Sequence, residues 1–256
     1  MSQKIRLAER VITASRHARV AKASRFGIMI SAILTFLIFA ISYYGEVVGN
    51  FTFTVDRPAQ NAGITLYEDH IAKEFTARLI SDKVEDSTGM TSYCGTEYTD
   101  FPLGSSVCIP TDEELSLVDG QNNGYSYIVY TFYVENAGDV AVDMSASMNM
   151  ISSSLGAENV IRVRIVFDGI GTTYADRQSE NGTAPGELEP LTEAFYSPTE
   201  VMYQEFTDFK PGDIVKVTVI IWYEGEDADH TMALMGGGVK LDMQFSVTDV
   251  YTNWWF

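Results

Sequence analysis

The chain is poor in the residues that carry out chemistry. It holds three histidines and two cysteines among 256 residues. His17 precedes the long apolar stretch described below, so only His70 and His230 follow it. No H-E-x-x-H occurs, and no histidine pair stands at the helical spacing of a zinc site. G-x-S-x-G, G-x-G-x-x-G and the P-loop are all absent, so acyl transfer and nucleotide chemistry find no motif here. The expectation is a protein that is not an enzyme. His70, beside Glu68 and Asp69, reads as a surface residue at a strand end.

Basic residues are also scarce over most of the chain. Seven of the seventeen Lys/Arg and one of the thirty-five Asp/Glu fall in residues 1–25, which leaves ten against thirty-four, a formal charge of -24, for the rest. A domain this acidic will not bind nucleic acid or anionic lipid through its general field. Its plainest use is solubility at a crowded surface.

One long uncharged run exists, Phe26 to Tyr44, FGIMISAILTFLIFAISYY. As a helix, nineteen residues cover roughly the hydrocarbon core of a bilayer. Ser31, Thr35 and Ser42 can bond back to their own helix. The basic side precedes it, so residues 1–25 are expected in the cytoplasm and residues 45–256 outside, in a single-pass cell-membrane protein. The segment reads as a retained signal anchor, favoured by the long basic region and the interfacial pair Tyr43-Tyr44. Ala40-Ile41-Ser42 also fits a signal-peptidase site, which leaves cleavage after Ser42 open.

Cys94 and Cys108 lie on the outer side with thirteen residues between them, and an oxidising compartment predicts one disulfide. They sit in a Ser/Thr/Gly/Asp-rich excursion, residues 81–111, longer than ordinary loops and expected to cover or contact something.

The remainder reads as short strands between turn signals. Asn50, Phe51, Thr52, Phe53, Thr54 and Val55 alternate as a half-buried strand. Ile64–Glu68, Lys73–Ile80, Asn159–Phe167, Thr172–Asp176, Thr199–Phe206 and Val239–Val247 are further strands, with Arg162 and Arg164 outward. Tyr125–Glu135 and Ile214–Tyr223 are nearly continuous in apolar character and predict central strands. Val140–Met150 alternates and reads as the hairpin partner of Tyr125–Glu135. Pro58–Gly63 and Phe209–Asp213 are turns. Met144, Met148, Met150, Met232, Met235 and Met243 read as core filling. The expected fold is all-β, an antiparallel jelly-roll or immunoglobulin-like sandwich in residues 45–256, preceded by a single transmembrane helix.

Two features remain. Glu224, Glu226, Asp227 and Asp229 are a hard-oxygen set that calcium could use, though they lack EF-hand order, and a solvated loop is the plainer reading. Trp254, Trp255 and Phe256 end the chain on aromatics that suit docking on the domain itself, a neighbour or the membrane interface. Asn50-Phe51-Thr52 and Asn181-Gly182-Thr183 match a glycosylation acceptor, informative only in a eukaryotic secretory host.

Val134-Glu135-Asn136-Ala137-Gly138-Asp139-Val140, Arg164-Ile165-Val166-Phe167, Phe209-Lys210-Pro211-Gly212-Asp213, Ile221-Trp222-Tyr223-Glu224-Gly225-Glu226-Asp227 and Gly236-Gly237-Gly238-Val239-Lys240-Leu241 together resemble the TasA/camelysin-like surface proteins of Gram-positive bacteria. The resemblance spans about Tyr125 to Val247. It implies a jelly-roll-like domain behind a hydrophobic signal, and assembly into matrix fibres by passing an N-terminal strand to a neighbour. The Cys94–Cys108 excursion and the aromatic tail depart from that pattern. The peptidase label attached to camelysin finds no zinc motif here. The function expected is therefore a membrane-anchored structural or assembly protein of the cell envelope. It would associate with itself or with other envelope proteins through strand edges. The alternative is a surface binding module for a divalent cation, glycan or partner protein.

Overall fold

The structure, a computed structural model, describes residues 28–38, 51–84, 87–96, 107–178 and 186–251. The chain forms two units, Met1–Gly49 and Asn50–Phe256. In the first, residues 28–38 form a helix, α1, exposed on every side. Thr35 Oγ1 donates to the carbonyl of Ser31 at 2.9 Å, the back-bonding that lets a hydroxyl sit in an apolar helix. Among the described residues no helix is long and apolar enough to cross a membrane. The rest of Phe26–Tyr44, the basic segment 1–25, Asn50, the 181–183 acceptor motif and the Trp254, Trp255, Phe256 tail lie outside the described residues.

The second unit is a sandwich of two sheets. Its strands are β1 (Phe51–Val55), β2 (Ile64–Tyr67), β3 (Arg78–Ser81), β4 (Met90–Thr91), β5 (Val107–Cys108), β6 (Gly120–Gln121), β7 (Tyr127–Asn136) and β8 (Val142–Ser154). They continue with β9 (Ile161–Phe167), β10 (Ile170–Ala175), β11 (Glu193–Ala194), β12 (Glu200–Phe209), β13 (Ile214–Tyr223) and β14 (Gly238–Val250). One sheet has the order β12-β8-β14-β1-β3; the other has seven strands, β11-β10-β9-β13-β7-β2 with β6 also paired to β7. Their inner faces meet through aromatic rings: Phe53 stands 4.6 Å from Phe132 and 4.9 Å from Tyr130, and Phe167 stands 5.3 Å from Phe206. Val142, Met144, Ala146 and Met148 point inward from β8, as the alternation of Val140–Met150 requires.

Several expectations are corrected. The sandwich is not wholly antiparallel: β1 runs parallel to β14 while pairing antiparallel with β3. β8 is not the hairpin partner of β7 but lies in the opposite sheet. Both strands have one strongly apolar face, and both faces are satisfied by meeting across the core. The turn between them crosses from sheet to sheet and is held by Asn136, fully buried, whose Nδ2 donates to the carbonyls of Val140 (2.9 Å) and Phe209 (2.8 Å). Pro58–Gly63 is not a plain turn but part of a short helix, α2 (Arg57–Ala62). Asp56 caps it through the Ala59 N–H, and Gly63 closes it at φ +97°. Of Lys73–Ile80 only Arg78, Leu79 and Ile80 enter a strand, β3, which ends at Ser81. Met232 and Met235 are not core residues but are strongly exposed.

The excursion is larger than residues 81–111 and it does cover something. It carries β4, β5, α3 (Asp112–Leu115) and β6, and lies over the outer face of the seven-stranded sheet. A second apolar cluster forms there from Met90, Leu115, Val129, Val166, Ile220 and Trp222. β13 is therefore buried on both faces, which accounts for its unbroken apolar sequence.

Candidate functional site

Cys94 and Cys108 are disulfide-bonded with their Cα atoms 5.9 Å apart. The bond staples the excursion beside the end of β13. Gly225 N–H donates to the Met90 carbonyl at 2.7 Å, and Glu224 N–H donates to the carbonyl of Val160, at the end of α4 (Ala157–Val160), at 2.8 Å.

Under this staple the polar residues of β9 reverse the sequence reading. Arg162 and Arg164 do point away from the main core, but the face they enter is covered. Arg162 is wholly buried, with Nη2 2.7 Å from Asp227 Oδ2 and 3.1 Å from Glu189 Oε2. Arg164 grips Asp112 at the start of α3 with two parallel bonds, Nε–Oδ1 at 2.7 Å and Nη2–Oδ2 at 2.6 Å. Lys216 Nζ adds a bond to the Ser116 carbonyl at 2.7 Å. Arg164 and Lys216 thus fasten the excursion to the sheet, while Arg162 holds the loops that carry Glu189 and Asp227.

Glu224, Glu226, Asp227 and Asp229 do not converge as a ligand set. Glu224 is fully buried, and its Oε2 accepts from Ser92 N–H (3.1 Å), Ser92 Oγ (3.1 Å) and Trp222 Nε1 (3.2 Å). Asp227 faces Arg162 and also accepts from Asp229 N–H at 2.8 Å. Burial opposes the charge on Arg162, but Asp227 and Glu189 outweigh it and hold its pKa above the ordinary arginine value. Burial dominates at Glu189, whose carboxyl is pushed up in spite of the guanidinium. Burial likewise pushes the Tyr93 hydroxyl, beside this cluster, up to about 12. Arg162 Nε is buried without a hydrogen-bond partner among the described residues.

A group the sequence reading missed is Asp69, His70 and Asp119, whose ligand atoms lie within 4.8 Å of one another. His70 Nδ1 is 2.5 Å from Asp119 Oδ2, and Tyr133 donates to Asp119 Oδ1 at 2.9 Å. Burial tends to raise Asp119, but the bonds from His70 and Tyr133 win and hold its carboxyl below the usual range. The N–H groups of Ala72 and Ile71 do the same for Asp69. The group ties the loop after β2 to the loop before β6. Forty-nine residues separate His70 from Asp119, so no local motif announces it.

β1 occupies an interior position in its sheet, between β14 and β3, with Phe53 fully buried. The sheet edges differ. β12 carries register shifts at Glu200/Met202 and Phe206/Phe209 and exposes Glu205 and Asp208, features that discourage another strand from adding. No protein-family model and no curated protein matches the chain.

Proposed function

We propose that this is a membrane-anchored, extracytoplasmic structural or assembly protein of the cell envelope, associating through its strands, with β1 as the exchangeable one. The observation that carries the reading is the place of β1. It is the first strand of the domain and begins six residues after the apolar stretch. It also fills an interior slot without a hairpin link to either neighbour. A slot of that kind accepts the same strand from a second copy at little change in contacts. The guarded edge of β12 makes exchange a better route than simple edge addition. Tethering in a membrane raises the local concentration of domains and favours it further. The resemblance to TasA/camelysin-like proteins points the same way.

A chain beginning at Pro58 tests this. It should fold only with an added Asn50–Val55 peptide and form no higher oligomers. If it is monomeric and fully stable alone, the reading fails. A second reading, a surface module that takes a divalent cation, is supported by the convergence of Asp69, His70 and Asp119. A calcium- or zinc-dependent rise in Tm lost in Asp119→Asn would favour it.

A further inference from the structure

β8 and β14 run past their neighbours. The last rung that crosses all five strands runs through Glu200, Asn149, Asp242, Thr52 and Ile80. Beyond it β8 continues to Ser154, and there β14 begins at Gly238. Past Phe51, Ser81 and Thr199, the four residues 151–154 of β8 project roughly 13 Å. The arm ends in two turns that touch, Leu155-Gly156 and the 3-10 turn Met232–Leu234 with the glycines after it. A Cβ placed on Gly237 would lie 3.3 Å from Leu155 Cβ, and one on Gly156 would lie 3.7 Å from Leu234 Cδ2.

The tip is apolar and uncovered. Leu155, Met235 and Met232 are 60, 74 and 83 % exposed, and Ile151 is exposed beside them. Residues 151–156 and 231–238 contain no charged side chain, in a domain whose formal charge is -24. Because β1 runs parallel to β14 and starts near Leu241, the chain enters the domain at this same end. Six residues, 45–50, join the apolar stretch to β1, and six residues reach at most about 20 Å. The charge-free end is therefore the one from which the chain leads back to the apolar stretch.

We propose that this tip is a membrane-contact surface: Leu155, Met232 and Met235 seat in the interfacial layer of the bilayer and set the domain upright on it. The proposal rests on the anchor reading above. The occupant is lipid because apolar side chains can enter the headgroup boundary without stripping water from a charge. The acidic remainder of the domain offers nothing to an anionic surface.

The test uses the full chain in phosphatidylcholine nanodiscs, one copy per disc, exposed to dilute peroxide with methionine oxidation mapped by mass. Met232 and Met235 should oxidise several-fold more slowly than in a free peptide of residues 231–237. Met235→Glu should return Met232 to the peptide rate. Peptide-like rates in the unsubstituted chain overturn the proposal while leaving the anchor intact. Protection seen only with two copies per disc makes a second chain the occupant and also overturns it. A chain that does not float with phosphatidylcholine vesicles removes the anchor, and the bilayer contact with it.

Discussion

Arg162 and Asp227, sixty-five residues apart, form an ion pair closed to solvent at 2.7 Å. Glu189 Oε2 approaches the same nitrogen, Nη2, at 3.1 Å. Removing one member of such a set leaves uncompensated buried charge, at a cost of about 3–5 kcal/mol. Arg162→Met should lower stability by that order in urea unfolding. A triple change, Arg162→Met with Asp227→Leu and Glu189→Leu, should recover most of the loss. An unchanged midpoint in Arg162→Met would show that the cluster is solvated.

Glu189 gives a pH signature. Its folded pKa lies above the ordinary glutamate value of about 4.3, so the native state holds the proton more tightly than the unfolded one. Its contribution is fully present in acid and is lost as pH rises through the raised pKa. Glu189→Gln should therefore gain on the parent protein in Tm between about pH 4 and neutrality. Parallel Tm curves across that range would refute the assignment.

The disulfide closes a short loop, for which the chain-entropy model gives about 3 kcal/mol. Cys94→Ser with Cys108→Ser should lose stability of that order. It should also loosen the cover over Trp222, which is 2 % exposed, and red-shift its fluorescence. Peptide mapping under non-reducing conditions checks the pairing directly.

Gly63 sits where no other residue fits. Its φ is +97°, and a Cβ there would stand 2.3 Å from Gly138 Cα. Backbone meets backbone, so neither side can yield cheaply. Gly63→Ala should destabilise by more than about 1 kcal/mol. Asn136→Ala, which strands the Val140 and Phe209 carbonyls, should cost about 1–3 kcal/mol in the same denaturation assay.

Much of the sheet was legible residue by residue. Ile214–Tyr223 reads as a central strand because burial on both faces leaves no alternation to see, and β13 occupies that place. Phe51, Phe53 and Val55 alternate and face the core. α2 was hidden although Asp56, Pro58 and Gly63 are its start and stop signals, because six residues carry no apolar stripe. The Asp69, His70 and Asp119 group was hidden because its members come from separate loops.

The sequence by itself determined the β character, the strand faces of β1 and β8, the central place of β13, the cysteine pair and the polarity of charge along the chain. Those depend on local periodicity, redox chemistry and composition, which are written one residue at a time. Tertiary structure decided which strands share a sheet, that β1 lies parallel to β14, and that Arg162 is buried. Alternation says only that a side chain leaves the main core. Whether it then meets water or Asp227 depends on what lies over that face, and here it is the loops that carry Glu189 and Asp227, beside the excursion stapled between Cys94 and Cys108.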